Sequence, residues 1–142
     1  MEGFFNFVSL EIKQRYTLGT QERLKSQKAI GELFKEGLPM AVFPLRVIYQ
    51  FRQAAPLVSG NALQAGFTVS TRHFKKASDR NRIRRLMKES YRLQKGALKQ
   101  HLVNNGITLS AFFIYVGKEL PNYEVVLEKT AIALQRLIKL TP

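Results

Sequence analysis

The sequence predicts a small single-domain α+β sandwich, with helices packed on a short sheet. Three observations predict it. The 142 residues are 45% hydrophobic, enough apolar material for one core. Apolar residues alternate over 45–51 and 63–71, as in half-buried strands. They recur at three- and four-residue intervals over 24–34, 83–97 and 125–140, as on one face of a helix. The order is helix-strand-strand-helix-strand-helix, with the helices on one side of the sheet. The other sheet face stays open unless the amino-terminal extension, residues 1–18, covers it.

That extension carries Phe4, Phe5, Phe7, Val8 and Leu10, which either pack on the core or form an apolar arm. The domain proper spans 19–142. Thr20 is placed to cap a first helix, in which Leu24, Ala29, Ile30, Leu33 and Phe34 form the apolar stripe. Gly37 and Pro39 end it. In the first strand Leu45, Val47, Tyr49 and Phe51 share a face. Pro56, Gly60 and Asn61 read as a hairpin loop. The second strand puts Leu63, Ala65, Phe67 and Val69 on one parity, with Thr68, Ser70 and Arg72 opposite. A long helix follows from about Ala77 to Leu102, its buried stripe being Ile83, Leu86, Met87, Ser90, Leu93 and Ala97. Gly96 weakens it by roughly 1 kcal/mol relative to Ala and marks a kink or an end. Residues 109–116 form a third strand. Pro121-Asn122-Tyr123 opens a last helix, with Val125, Val126, Leu127, Ile132, Leu134, Leu137, Ile138 and Leu140 on its apolar face.

The chain carries 23 Lys+Arg against 10 Asp+Glu, a net charge of +13. Eleven of these bases, and two acids, fall between Arg72 and Lys99. A concentrated cationic block calls for a polyanion that relieves its self-repulsion. No apolar run approaches the roughly 20 residues needed to span a bilayer. Cysteine is absent, which excludes disulfides and thiolate chemistry and fits a reducing cytosol. The expectation is a cytoplasmic chain with no membrane partner.

Within the block stands Lys75-Lys76-Ala77-Ser78-Asp79-Arg80-Asn81-Arg82-Ile83-Arg84-Arg85-Leu86. On a helix, Arg80, Arg84 and Lys88 stack on one face, with Asn81, Arg85 and Arg92 beside them. Arginine binds phosphate through a planar fork, and Asn81 suits a phosphate, a 2′-hydroxyl or a base edge. Three readings compete: an RNA-binding helix, a DNA-recognition helix, and a merely solvated charged face. No helix-turn-helix, zinc or heptad pattern supports the DNA reading. His73 and His101 lie far apart, the acids are scattered and no glycine-rich phosphate loop is present, so no side chain is a candidate for catalysis and none for a metal. A general RNA chaperone and a self-sufficient nuclease remain the competing activities.

The run Arg80-Asn81-Arg82-Ile83-Arg84-Arg85 resembles the Arg-Asn-Arg signature of the protein subunit of bacterial ribonuclease P. Glu22-Arg23-Leu24-Lys25 and Phe34-Lys35-Glu36-Gly37 are similar to that family's opening, and the likeness covers roughly 20–140. The resemblance implies a ribosomal-protein-S5-domain-2-like fold with an unusual left-handed βαβ crossover. It implies a tRNA-processing endoribonuclease that acts as a ribonucleoprotein. There the RNA subunit carries the catalytic centre and its magnesium ions (Mg2+), and one protein copy joins each RNA. By position, Arg80, Asn81, Arg82, Arg84, Arg85, Lys76 and Lys88 would bind that RNA subunit. Phe34, Tyr49, Thr68 and Ser70 would line a cleft for the 5′ leader of precursor tRNA. Ile30 stands where the family commonly has an aromatic. Lys75, Ser78 and Asp79 depart from the pattern preceding the signature.

Overall fold

The computed structural model describes Leu24, residues 27–53 and residues 62–142. The extension over 1–18, the Thr20 cap and the turn residues Pro56, Gly60 and Asn61 lie outside the described residues. Among the described residues, four helices and four strands follow in the order α1 (Gln27–Glu36), β1 (Leu38–Val42), β2 (Leu45–Gln53), β3 (Leu63–Val69), α2 (Ala77–Gln94), α3 (Gly96–Asn105), β4 (Ile107–Tyr115) and α4 (Tyr123–Leu140).

The sheet order is β1-β2-β4-β3. β2 runs antiparallel to both β1 and β4, and β3 runs parallel to β4. Two expectations are corrected here. The sheet has four strands rather than three, because Leu38–Val42 pairs with β2 as an edge strand. Pro39, which reads as a helix terminator, is tolerated there because an edge strand can leave one side of its backbone unpaired. Nor do β2 and β3 form a hairpin. β4 inserts between them, and the chain from β3 returns to β4 through α2 and α3, as a parallel pair requires.

Strand alternation divides the apolar residues between two faces. Leu45, Val47, Tyr49, Leu63, Ala65, Phe113 and Tyr115 point to one side and join Ile83, Met87, Tyr91, Leu98, Val126 and Leu137 from α2, α3 and α4 in the main core. Ile48, Phe112 and Ile114 point to the other side, where Leu24, Ala29, Ile30 and Leu33 pack on them. The helices are therefore not confined to one side: α1 covers part of the second face. Gly66 is in mid-strand. A Cβ there would clash with the Phe112 ring, so the missing side chain is what lets that ring lie across the sheet beneath α1.

The long helix expected over 77–102 breaks at Lys95, which ends α2 and precedes Gly96 at the start of α3. The buried stripe also differs from the expected one. Leu93 and Ala97 are exposed, while Tyr91, Leu98 and Leu102 are buried in their place. Ser90 is fully buried between α2 and α4; its hydroxyl donates to the Leu86 carbonyl, and Gln94 Nε2 donates to the carbonyls of Ser90 and Leu127. α3 ends at Gly106, whose φ of 65° is readily adopted by glycine, and its N–H closes on Leu102 and Val103. α4 starts as the sequence indicates, with Asn122 Oδ1 accepting from the Val125 N–H at 2.9 Å.

Candidate nucleic-acid interface

α2 is amphipathic, and its two sides place the cations differently. Ile83, Met87, Ser90 and Tyr91 fix the inward side. Asn81, Arg82, Arg85 and Lys88 fall on the outward side and are all exposed. Among the described residues, Arg82, Arg85 and Lys88 have no hydrogen-bond or ion-pair partner. Lys76 is exposed at the amino-terminal cap position, where the helix dipole adds positive potential.

The remaining cations do not all join this fan. Arg80 lies three residues before Ile83 and seven before Met87, on the flank of the buried stripe. It is half-buried, and Nη1 donates to the carbonyls of Phe74 and Lys75, both at 2.9 Å. Arg84 is also half-buried and donates to Asn81 Oδ1, which orients the amide. Arg92, expected beside Asn81 and Arg85, is held by Glu89 at 2.6 Å. Lys95, counted in the cationic block, is buried where α2 meets α3. The outward face is thus built from Asn81, Arg82, Arg85 and Lys88, with Lys76, Arg80 and Arg84 at its edge.

The expected leader-cleft residues fall into two groups. Phe34 is 51% exposed on α1, and its ring meets Phe112 edge-on at 5.2 Å. Thr68 and Ser70 share its side of the sheet and are half-buried. Tyr49 does not join them. Its parity is that of Leu45 and Val47, so it is turned into the main core, only 7% exposed, against Phe51. A strand residue cannot serve both faces, and this one is committed to packing.

Arg46 takes a place on this sheet face that the resemblance did not assign. It pairs with Ile114 across β2 and β4, and Ile114 pairs with Thr68 across β4 and β3, so these three form one row, next on that face to the row of Ile48, Phe112 and Gly66. Arg46 is exposed and has no partner among the described residues. By contrast Arg52, on the same parity, hydrogen-bonds Gln50 Oε1 and lies 3.9 Å from Glu32. The signal was available: an arginine between Leu45 and Val47 must face away from the core. The row lies at the end of the sheet where β3 leads into α2, so this face and the cationic helix adjoin.

Among the described residues, no group of three or more His, Asp and Glu side chains could hold a metal ion, and no helix is long and apolar enough to cross a membrane. His73 is exposed before α2, and His101 is half-buried on α3 with its carbonyl accepting from Asn105 Nδ2. The arrangement offers phosphate binding, hydrogen bonding and aromatic contact.

Comparison with known proteins agrees with this chemistry. The model of the Ribonuclease P family matches residues 18–137. The chain is similar to the ribonuclease P protein component of Porphyromonas gingivalis strain W83, at 33% identity over 111 residues, covering 78% of this chain and 79% of that one. It is similar to the corresponding component of Chlorobium phaeobacteroides, at 29% identity over 134 residues, covering 88% and 92%. The fold resembles that of the Staphylococcus aureus RNase P protein, with a TM-score of 0.54 at 17% identity over 83% of this chain and 93% of that one. The chain belongs to the ribonuclease P family, the protein components of a ribonucleoprotein endoribonuclease that processes the 5′ ends of tRNA.

Proposed function

We propose that this chain binds the catalytic RNA subunit through Asn81, Arg82, Arg85 and Lys88, with Lys76, Arg80 and Arg84 supporting them. In the same reading the groove between α1 and the sheet holds the 5′ leader of precursor tRNA, using Phe34, Thr68, Ser70 and Arg46. The observation that carries the proposal is the set of exposed cations on α2 left without partners of their own. Helix propensity and stability would favour interleaved acids on that face, since like charges one turn apart are destabilising by a few tenths of a kcal/mol. A phosphodiester chain supplies the missing counter-charge, and its displaced counterions add the entropic drive.

The role is electrostatic and positional. Cations on α2 offset phosphate repulsion where RNA strands converge, and the groove favours the leader-bearing substrate over its product. Magnesium, required for phosphodiester hydrolysis, belongs in this reading to the RNA subunit. One protein copy serves each RNA, in the cytoplasm. The test is cleavage of precursor tRNA by the RNA subunit at low magnesium, with and without the chain. Faster cleavage with the chain, and tighter binding of precursor than of mature tRNA, is the expected result; identical rates would contradict it.

A further inference from the structure

A cavity of about 520 Å³ opens at the end of the sheet where β2 begins and β4 finishes, on the α4 side. Its walls are the β1–β2 turn, residues 115–119 and the first turns of α4. The size is that of a small-molecule or single-nucleotide site. The walls are tied together. The Val116 N–H donates to the Pro44 carbonyl at 2.9 Å, and Tyr115 OH donates to the Glu119 carbonyl at 2.6 Å. A Cβ on Gly117 would meet the Tyr115 hydroxyl at 2.5 Å and Pro44 at 3.1 Å, so glycine there allows the ring to close the floor.

Two features at the rim select a ligand class. Phe43 is 71% exposed and stacks on no other ring among the described residues. Lys118 and Lys129 line the same cavity and, among the described residues, pair with no acid. Glu119 is the one acid in the lining, and its carboxylate is exposed, so the amines prevail. An uncovered aromatic ring beside two ammonium groups suits a planar base with a phosphate attached. A neutral peptide would leave the ammonium groups without a counter-charge.

Position identifies the source. Tyr115 backs the cavity on one side and the start of the cationic helix on the other. Its ring lies 6.0 Å from that of Phe74, and its carbonyl accepts from the Ser70 N–H. The cavity and the segment leading into α2 are therefore neighbours, within reach of one bound strand. We propose that the cavity receives one unstacked nucleotide of a bound RNA strand, its base against Phe43 and its phosphates toward Lys118 and Lys129. The inference rests on the reading that RNA is the partner, and it adds a contact on the sheet face opposite the leader groove.

The test titrates the full chain with single-stranded hexa-adenylate over a range of salt, comparing wild type with Phe43→Ala, Lys129→Gln and Arg85→Ala. Phe43→Ala should lower affinity about five-fold or more with the salt slope unchanged, because stacking carries no charge. Lys129→Gln should lower the log–log slope by roughly one. Phe43 is exposed, so the melting temperature of that variant should match wild type and exclude unfolding as the cause. Wild-type binding that Arg85→Ala weakens and Phe43→Ala does not would overturn the cavity alone. Failure of wild type to bind at any salt would overturn the RNA reading with it. Adenosine monophosphate competing as well as the oligomer would assign the cavity to a free nucleotide and overturn the proposal.

Discussion

Arg80 donates to two consecutive backbone carbonyls, those of Phe74 and Lys75, and so ties the loop before α2 to the helix it precedes. Arg85, five residues on, is exposed and makes no such bond. The two should therefore respond differently to truncation. Arg80→Ala is expected to cost about 1 kcal/mol of folding stability as well as RNA affinity. Arg85→Ala should leave the melting temperature unchanged while flattening the salt dependence of RNA binding by roughly one unit. Equal stability losses in urea titrations of the two variants would refute this division. Ile83 separates packing from binding on the same helix. It is fully buried, so Ile83→Ala should cost roughly 2–5 kcal/mol, read from the denaturation midpoint, with the salt slope unaltered.

Among the elements, α1 depends on a contact between residues distant in sequence. The Phe112 ring lies over Gly66, and Phe34 meets that ring edge-on. Gly66→Ala would push a methyl into the ring, and overpacking of this kind costs about 1–3 kcal/mol. The expected outcome is a lower melting temperature together with weaker discrimination between precursor and mature tRNA, since Phe34 moves with Phe112. A melting temperature equal to wild type would show that the ring has room to shift. Much at this scale was legible in the sequence. Alternation in β2 and β3, the stripe of Ile83 and Met87, and the opening of the last helix at Pro121-Asn122-Tyr123 all depend on neighbours along the chain. The sheet order was not legible, because placing β4 between β2 and β3 depends on which strand edges meet after α2 and α3 have formed. β1 was hidden because Pro39 argues against a strand everywhere except at an edge. Likewise Tyr49 was assigned by resemblance to the cleft, whereas its parity with Val47 already turned it toward the core.

Over the whole molecule, the positive charge is directed outward where α2 begins and is neutralised or buried where it ends, at Arg92 and Lys95. The signature arginines were legible in the sequence as residue types, but not the diversion of Arg80 and Arg92 to contacts within the protein. The same cationic end includes Tyr115. Burial, and secondarily the Glu119 carboxylate, raises its phenol above the ordinary value of 10.0. The folded state thus retains a proton that the unfolded chain releases near pH 10. Its contribution to stability is present below that pH and declines as pH rises toward and through the folded value. Between pH 9 and 11 the wild type should lose more stability than Tyr115→Phe, measured by urea unfolding, because other titrations are common to both. Parallel declines would exclude Tyr115 as the cause.

The most direct measurement is the affinity of the full chain for its RNA subunit as a function of salt, for wild type and a variant with Arg82, Arg85 and Lys88 all changed to Gln. With the fold verified by circular dichroism, the account predicts weaker binding at every salt concentration and a log–log slope shallower by about three. Unchanged affinity and slope in a correctly folded variant would mean that the exposed cations of α2 do not meet phosphate.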